Sequence, residues 1–351
     1  MMAAFSEDLI RSTLSQIRYP GFSRDIVSFG LLKSIAITNK DVTVAMQITT
    51  SDASIPQAIQ SFSETALRAL PEIGKVTVQI EVRAPAAPAA PGVSGPTAIA
   101  GIKHVIAIAS GKGGVGKSTV AVNMALALAK TGASVGLCDC DIYGPSIALM
   151  FGSRERPMAT ADDRIIPIET AGIKLMSMGF LLDDTSPAVL RGPMVTRTTQ
   201  QFLRQVEWGE LDYLILDLPP GTGDIQLTVV QNVVLAGAIL VTTPQEVALI
   251  DVRKAASMFG KVNVPIIGLI ENMSYFLCPS DGKRYDIFGS GGGEREAKRL
   301  GVPLLAEIPI DIATREAGDR GVPVIVAEPQ CFVSQAFNSA ATLVSTAVSS
   351  L

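Results

Sequence analysis

The sequence predicts an α/β protein, a doubly wound and mostly parallel sheet preceded by a small α+β domain, on three observations. A glycine-rich loop stands between a short apolar run, Val105 to Ala109, and an alanine- and leucine-rich segment, which is the strand, loop and helix order of a βαβ unit. Later apolar runs lead into Asp139, Asp217 and Asn272, as buried parallel strands do when they bring polar groups to the carboxyl edge of a sheet. From Ala84 to Pro96 the chain carries four prolines and no charge, an extended tether with nothing to bury. The expected organisation is therefore a small α+β domain over residues 1–83, a Pro/Ala-rich linker over 84–100 and the α/β domain over 101–351.

Within the first domain, Leu9, Ile10, Thr13, Leu14 and Ile17 recur at helical spacing behind a capping residue, Ser6. Alternation at Ser34 to Ile37 and at Val42 to Met46, separated by Asn39-Lys40-Asp41, predicts a β-hairpin. A second helix runs from Ile55 to Leu70 and stops at Pro71, and Val76 to Ile80 closes a third strand.

The second domain opens on Gly111, Lys112, Gly113, Gly114, Val115, Gly116, Lys117, Ser118 and Thr119. This spacing is that of a phosphate-binding loop. Its glycines let successive N–H groups turn inward on a polyphosphate, and the following helix points its positive end at the same place. Lys117 brings charge to the β- and γ-phosphates and Ser118 offers its hydroxyl to Mg²⁺. Lys112, a second cation in the loop, is placed to answer charge developing on the leaving group.

After a buried helix, Ala121 to Ala129, the strand Ser134 to Cys138 ends in Asp139-Cys140-Asp141-Ile142-Tyr143-Gly144-Pro145-Ser146. Asp141 is expected near the γ-phosphate, orienting water, with Asp139 behind the Mg²⁺. The strand Tyr213 to Leu216 ends at Asp217, placed to hold the Mg²⁺ water shell, and Gly221 and Gly223 follow in a loop able to sense the γ-phosphate. Strands at Ala238 to Val241 and Pro265 to Ile270 complete the pattern, the second leading to Asn272, whose amide is expected at the adenine ring.

Composition sets bounds. The chain has 351 residues, 48% hydrophobic and 18% charged, with a net charge of −4, which argues against nucleic acid as the main partner. No apolar run approaches the ~20 residues a bilayer span requires, and no signal pattern opens the chain, so a cytoplasmic protein without a membrane partner is expected. Four cysteines, Cys138, Cys140, Cys278 and Cys331, read as thiols or metal ligands before disulfides. Cys138 is expected in the core, Cys140 beside the nucleotide, and His104 in a structural role.

Together these runs resemble the Mrp/ApbC family of iron-sulfur cluster carrier ATPases, within the deviant phosphate-loop class that also holds MinD and ParA proteins. The resemblance rests on residues 111 to 118, on Asp-x-Asp-Ile-Tyr-Gly-Pro-Ser at 139 to 146 and on Arg-Gly-Pro-Met at 191 to 194. It rests equally on Trp-Gly-Glu-Leu-Asp-Tyr at 208 to 213, Asp-Leu-Pro-Pro-Gly-Thr-Gly-Asp at 217 to 224, Glu-Asn-Met-Ser-Tyr at 271 to 275 and Ile-Phe-Gly-x-Gly-Gly at 287 to 292. The first domain resembles the MIP18-like domain that often precedes this P-loop NTPase. The resemblance implies a homodimer that binds ATP between subunits, with Lys112 reaching the nucleotide of the other subunit. It also implies a labile cluster, commonly [4Fe-4S], bridged by a Cys-x-x-Cys pair from each subunit and passed to apo iron-sulfur proteins with the cluster assembly machinery as a partner. Here that pair reads Cys278-Pro279-Ser280-Asp281, so Cys278 and Asp281 are the candidate ligands, and Ser54 stands where relatives of the small domain often have a cysteine. Oxygen ligands suit an iron-sulfur core less well than thiolates do. A MinD/ParA-like positioning ATPase and an assembly scaffold without its own cluster are the alternative readings. The first would need a basic amphipathic C-terminal helix or a basic surface, and Cys331 to Leu351 contains no Lys or Arg.

Overall fold

The computed structural model describes residues 6–20, 25–28, 30–38, 40–50, 54–71, 73–83, 96–160, 162, 164–180 and 192–350. The chain divides into two units, Met1–Ser94 and Gly95–Leu351. In the first, α1 (Glu7–Leu14) begins at Ser6, whose hydroxyl accepts the N–H of Leu9. Strands β1 (Leu32–Thr38) and β2 (Asp41–Thr49) form an antiparallel hairpin, and β3 (Val76–Arg83) returns parallel to β2 after α2 (Ser54–Arg68). Ile10, Leu14, Val42, Val44, Ile59 and Leu67 fill this unit's own core. A parallel return needs a crossover, and α2 supplies it.

The second unit runs β4 (Ile102–Ser110), α3 (Lys117–Lys130), β5 (Val135–Asp139), α4 (Ile147–Met150), β6 (Ile168–Thr170), β7 (Ile173–Met176), α5 (Gly192–Gln205) and β8 (Leu211–Asp217). It continues through α6 (Asp224–Asn232), β9 (Gly237–Thr242), α7 (Glu246–Lys261), β10 (Ile266–Leu277), β11 (Arg284–Tyr285), α8 (Gly292–Leu300), β12 (Leu304–Ile310), α9 (Ile312–Asp319), α10 (Val324–Ala327) and α11 (Phe332–Ser349). Among the described residues the sheet order is β11-β10-β9-β4-β8-β5-β7-β6, with β12 also on β10. Among this sheet's described strands only the pairings β6 to β7 and β10 to β11 are antiparallel. One face of the sheet packs on α3 and α11, the other on α5 and α7, through two apolar layers. β4 is buried over its whole second half because helices cover both faces. Placed between β9 and β8, it delivers the glycine loop to the crevice at the carboxyl edge of the sheet.

The strand read at Pro265 to Ile270 is longer than its sequence pattern suggests. β10 continues through Glu271 and Asn272 to Leu277, and Met273 takes a left-handed φ of 53° where the register with β12 slips between Asn272 and Phe276. Among the described residues no helix is long and apolar enough to cross a membrane.

Candidate nucleotide and cluster sites

The glycine loop is built by close approach. A β-carbon on Gly111 would run into the backbone of Asp251 in α7, and one on Gly116 would strike the side-chain amide of Asn272. Gly116 is also left-handed at φ 77° and caps α3 with no side-chain hydrogen bond, so the first N–H groups of α3 lack the side-chain cap that would otherwise take them. Asn272 donates to the carbonyl of Val115 at 2.9 Å. The Ser110 hydroxyl donates to the carbonyl of Lys112 at 2.9 Å, and the N–H of Gly221 donates to the carbonyl of Ser110 at 3.0 Å. The loop after β8 is thereby tied to the phosphate loop.

At the loop's end, Lys117 is only 6% exposed and pairs with the Oδ1 atom of the fully buried Asp217. Its Nζ also lies 3.4 Å from the Ser118 hydroxyl. Burial pushes the Asp217 carboxyl up in pKa, opposed by the Lys117 charge. The other oxygen, Oδ2, is buried and has no hydrogen-bond partner. An orphaned carboxylate oxygen beside a hydroxyl at a helix N-terminus is the donor set that suits a hard divalent cation and its water shell, so the residues fit Mg²⁺ accompanying a polyphosphate.

Asp139 pairs in register with Asp217 across β5 and β8. It is buried, and burial together with the Asp217 charge raises its carboxyl to about 7. Its Oδ1 accepts the N–H of Asp141 at 3.0 Å. Asp141 is half-buried at the mouth of the same crevice and accepts the N–H of Gly144 at 3.2 Å. Lys112 is likewise half-buried in the loop. Next to the loop lies a cleft of about 320 Å³ whose walls include Gly116, Thr119, Asn272, Met273, Pro309 and Thr314. Its apolar floor and few polar groups suit a nucleoside. Asn272 thus both lines this cleft and holds the phosphate loop. The sequence reading missed the wall made by β12 and α9, where Asp311 caps α9 by accepting the N–H of Thr314 at 2.7 Å. The signal present was Asp311 directly after an apolar run, three positions before Thr314.

Cys278 opens the turn between β10 and β11. Its N–H donates to the carbonyl of Lys283 at 2.9 Å, and its carbonyl accepts the N–H of Gly282 at 2.8 Å. The Cys278 sulfur lies 3.0 Å from the Ser280 hydroxyl, and that contact lowers the thiol pKa, which favours a thiolate. Asp281 is engaged within the hairpin. Its Oδ1 accepts the N–H of Lys283 and its Oδ2 accepts the hydroxyl of Tyr285, both at 3.0 Å, so the carboxylate pins the hairpin. Among the described residues no three His, Cys, Asp or Glu side chains are grouped to hold a metal.

The other cysteines are structural. Cys138 and Cys140 point to the same side, their sulfurs 3.9 Å apart in the core. Cys140 is 1% exposed, its N–H on the Asp217 carbonyl at 3.0 Å, and its thiol shares a face with Cys138 as residues two apart on a strand do. Cys331 caps α11, its sulfur accepting the N–H of Ser334. His104 stacks on Tyr213 with ring centroids 5.6 Å apart. The run at 208 to 213 is architectural: Trp208 is buried, and Asp212 pairs with Lys103 and accepts the N–H of Ser134. Arg191 lies outside the described residues, as does part of the Thr49 to Ser54 run.

The model of a NUBPL iron-transfer P-loop NTPase matches residues 101–345, and that of an iron-sulfur cluster assembly protein matches residues 7–80. The iron-sulfur cluster carrier protein of Synechocystis is 42% identical over 347 residues, covering 97% of this chain and 98% of its own. Among solved structures, the nucleotide-binding protein of Archaeoglobus fulgidus in complex with ADP superposes with a TM-score of 0.58 at 40% identity, over 66% of this chain and 90% of that one. The cell division ATPase MinD of Pyrococcus furiosus, at 23% identity, TM-score 0.54 and coverage of 69% and 98%, shares the fold. Phosphate loop, buried lysine and aspartate, and a family match over most of the length converge: the chain belongs to the NUBPL family of iron-transfer P-loop NTPases, fused to an N-terminal iron-sulfur assembly module.

Proposed function

We propose that this protein is a cytoplasmic, homodimeric ATPase that holds a labile iron-sulfur cluster at Cys278 and passes it to apoproteins. The observation that carries the proposal is the continuity of β10. Asn272 on this strand supports the phosphate loop, and Cys278 follows its last residue, Leu277. One strand therefore joins the nucleotide to the cargo thiol, with the left-handed residue Met273 and the register slip against β12 between them.

The N–H groups of 113 to 118 receive the phosphates, and the purine lies in the cleft against Asn272. Lys117 leaves Asp217 for the β- and γ-phosphates, which frees Oδ1 beside the already unpartnered Oδ2. Ser118 and Asp217 hold Mg²⁺, which neutralises phosphate charge when bound. Asp141 orients the attacking water, and Lys112 reaches the nucleotide of the other subunit.

Cargo chemistry follows from the ligand count. Each chain offers one thiolate, so a dimer supplies two, and a [4Fe-4S] cluster held there keeps two irons for exogenous ligands. A half-filled protein ligand set favours release to an acceptor with more thiolates. The N-terminal unit is assigned to partner recruitment in cluster assembly, in keeping with the family whose model it matches.

Anaerobic reconstitution followed by iron and sulfide analysis tests the reading. Wild type should bind cluster and hand it to an apo-acceptor, and Cys278→Ala should retain neither ability while still hydrolysing ATP. A wild-type protein that never takes up iron, with its ATPase intact, rejects the carrier role.

A further inference from the structure

A serine outside every motif of the sequence closes the loop that carries Asp141. Ser177 follows β7, whose Met176 is in register with Cys138, so its side chain arrives beside Asp139. It is fully buried. Its hydroxyl donates to Asp139 Oδ2 at 2.9 Å and accepts the N–H of Gly179 at 3.0 Å. The same Oδ2 accepts the N–H of Ile147, at the start of α4, at a longer 3.4 Å. The other oxygen holds the N–H of Asp141 at 3.0 Å. Asp139 is thus a clamp with one arm on the Asp141 backbone and the other arm fixed chiefly by Ser177.

Among the described residues the clamp has little other support. Cys140 is held by its own N–H on the Asp217 carbonyl at 3.0 Å, which secures the strand end, whereas the amide of Asp141 goes to Asp139. Remove the Ser177 hydroxyl, and among the described residues Oδ2 keeps only its longer bond to the N–H of Ile147. The carboxylate is then free to turn about its last torsion, a broad and soft one, and Oδ1 leaves the Asp141 N–H.

We propose that Ser177 is a positioning residue for ATP hydrolysis, holding Asp139 so that Asp139 in turn places the Asp141 carboxylate over the phosphate loop. The inference rests on the assignment of Asp141 to the attacking water. A displacement of about 1 Å in a group that orients a nucleophile costs as much as ~100-fold in rate, so one buried hydroxyl suffices to control turnover without touching ATP.

The test uses the full chain with Ser177→Ala, Asp141→Ala and the double variant, measuring steady-state ATP turnover with Mg²⁺ and ADP affinity by calorimetry. Ser177→Ala should lower kcat about tenfold or more while KM and ADP affinity stay within about twofold, the split expected when only the transition state is affected. Ser177→Cys, which keeps a weak donor of similar size, should recover part of the rate. The double variant should be no slower than Asp141→Ala alone, since both act through one carboxylate. If Asp141→Ala is slow but Ser177→Ala turns over like wild type, the positioning role is wrong and the Asp141 assignment stands. If the two losses multiply in full, or ADP affinity falls with kcat, Ser177 is merely structural and the proposal is overturned. If Asp141→Ala itself hydrolyses ATP normally, the assignment beneath the proposal has failed, and the proposal fails with it.

Discussion

Lys117 and Asp217 bury opposite charges against each other in the crevice that receives the nucleotide, and a buried pair of this kind does little for stability in its own right. Its value is the exchange it permits, in which phosphate takes the lysine and a cation takes the aspartate. Lys117→Ala should therefore abolish measurable ATP binding, a loss of at least about 100-fold if a charge-assisted contact worth ~3 kcal/mol disappears, checked by calorimetry with ADP and ATP. Unchanged affinity would remove the basis of the nucleotide site. Asp139 contributes to the pH response of the nucleotide-free protein. Burial and the Asp217 charge push its carboxyl up to about 7 from the ordinary 3.8, so between these values the folded state binds more protons than the unfolded one. Stability should then fall as pH rises through that window, by on the order of 4 kcal/mol at most for one group, and Asp139→Asn should flatten the slope of unfolding free energy against pH. A slope that rises over the same range contradicts the buried-acid assignment. Gly111, Lys117 and Ser118 were legible in the sequence because spacing alone defines a phosphate loop. Ser177 was not, since its partner is 38 positions away and a lone serine after a strand carries no pattern.

β10 shows why an element can be half legible. Its apolar run reads as ending at Ile270 because Glu271 and Asn272 look like a loop, yet both are buried. Their polar atoms are met by distant backbone: Glu271 takes the N–H of Gly293 at the start of α8 and the hydroxyl of Ser274 at 2.6 Å, and Asn272 serves Val115. Such partners are settled by tertiary structure, and local pattern is silent about them. Glu271→Ala strands the α8 N-terminus and should cost about 1–3 kcal/mol in chemical denaturation, with ADP affinity nearly preserved because Asn272 remains. A loss of nucleotide binding equal to that of Lys117→Ala would show instead that Glu271 belongs to the phosphate site. Further along, the β10 to β11 hairpin separates a ligand from a pin. With both Asp281 oxygens engaged by Lys283 and Tyr285, Asp281→Ala should leave iron bound per protomer within about twofold of wild type after reconstitution, whereas Cys278→Ala should hold none. Equal losses in the two variants would restore Asp281 as a ligand.

At the scale of the whole molecule, the cores of the two units share no residue among those described. The apolar cluster of the first unit draws its members from Ile10 to Ile80, and the two layers of the second draw theirs from Ile99 to Val348. The nucleotide crevice, the nucleoside cleft and the Cys278 hairpin are all built from the second unit. The proline-rich stretch is where the sequence leads one to expect a boundary, because a charge-free run with nothing to bury makes a poor join between cores. Units with separate cores unfold as separate cooperative transitions, so calorimetry of the full chain should show two, and only the transition of the larger unit should move upward when ADP and Mg²⁺ are added. By the same logic a fragment spanning 95–351 should fold and keep the KM for ATP within about twofold, since it loses no group that touches the nucleotide. It should nevertheless deliver cluster to an acceptor more slowly if the first unit recruits partners. A fragment that transfers cluster at the full rate would confine the first unit to some other task, and one that cannot bind ATP would mean that the separation of cores does not extend to function.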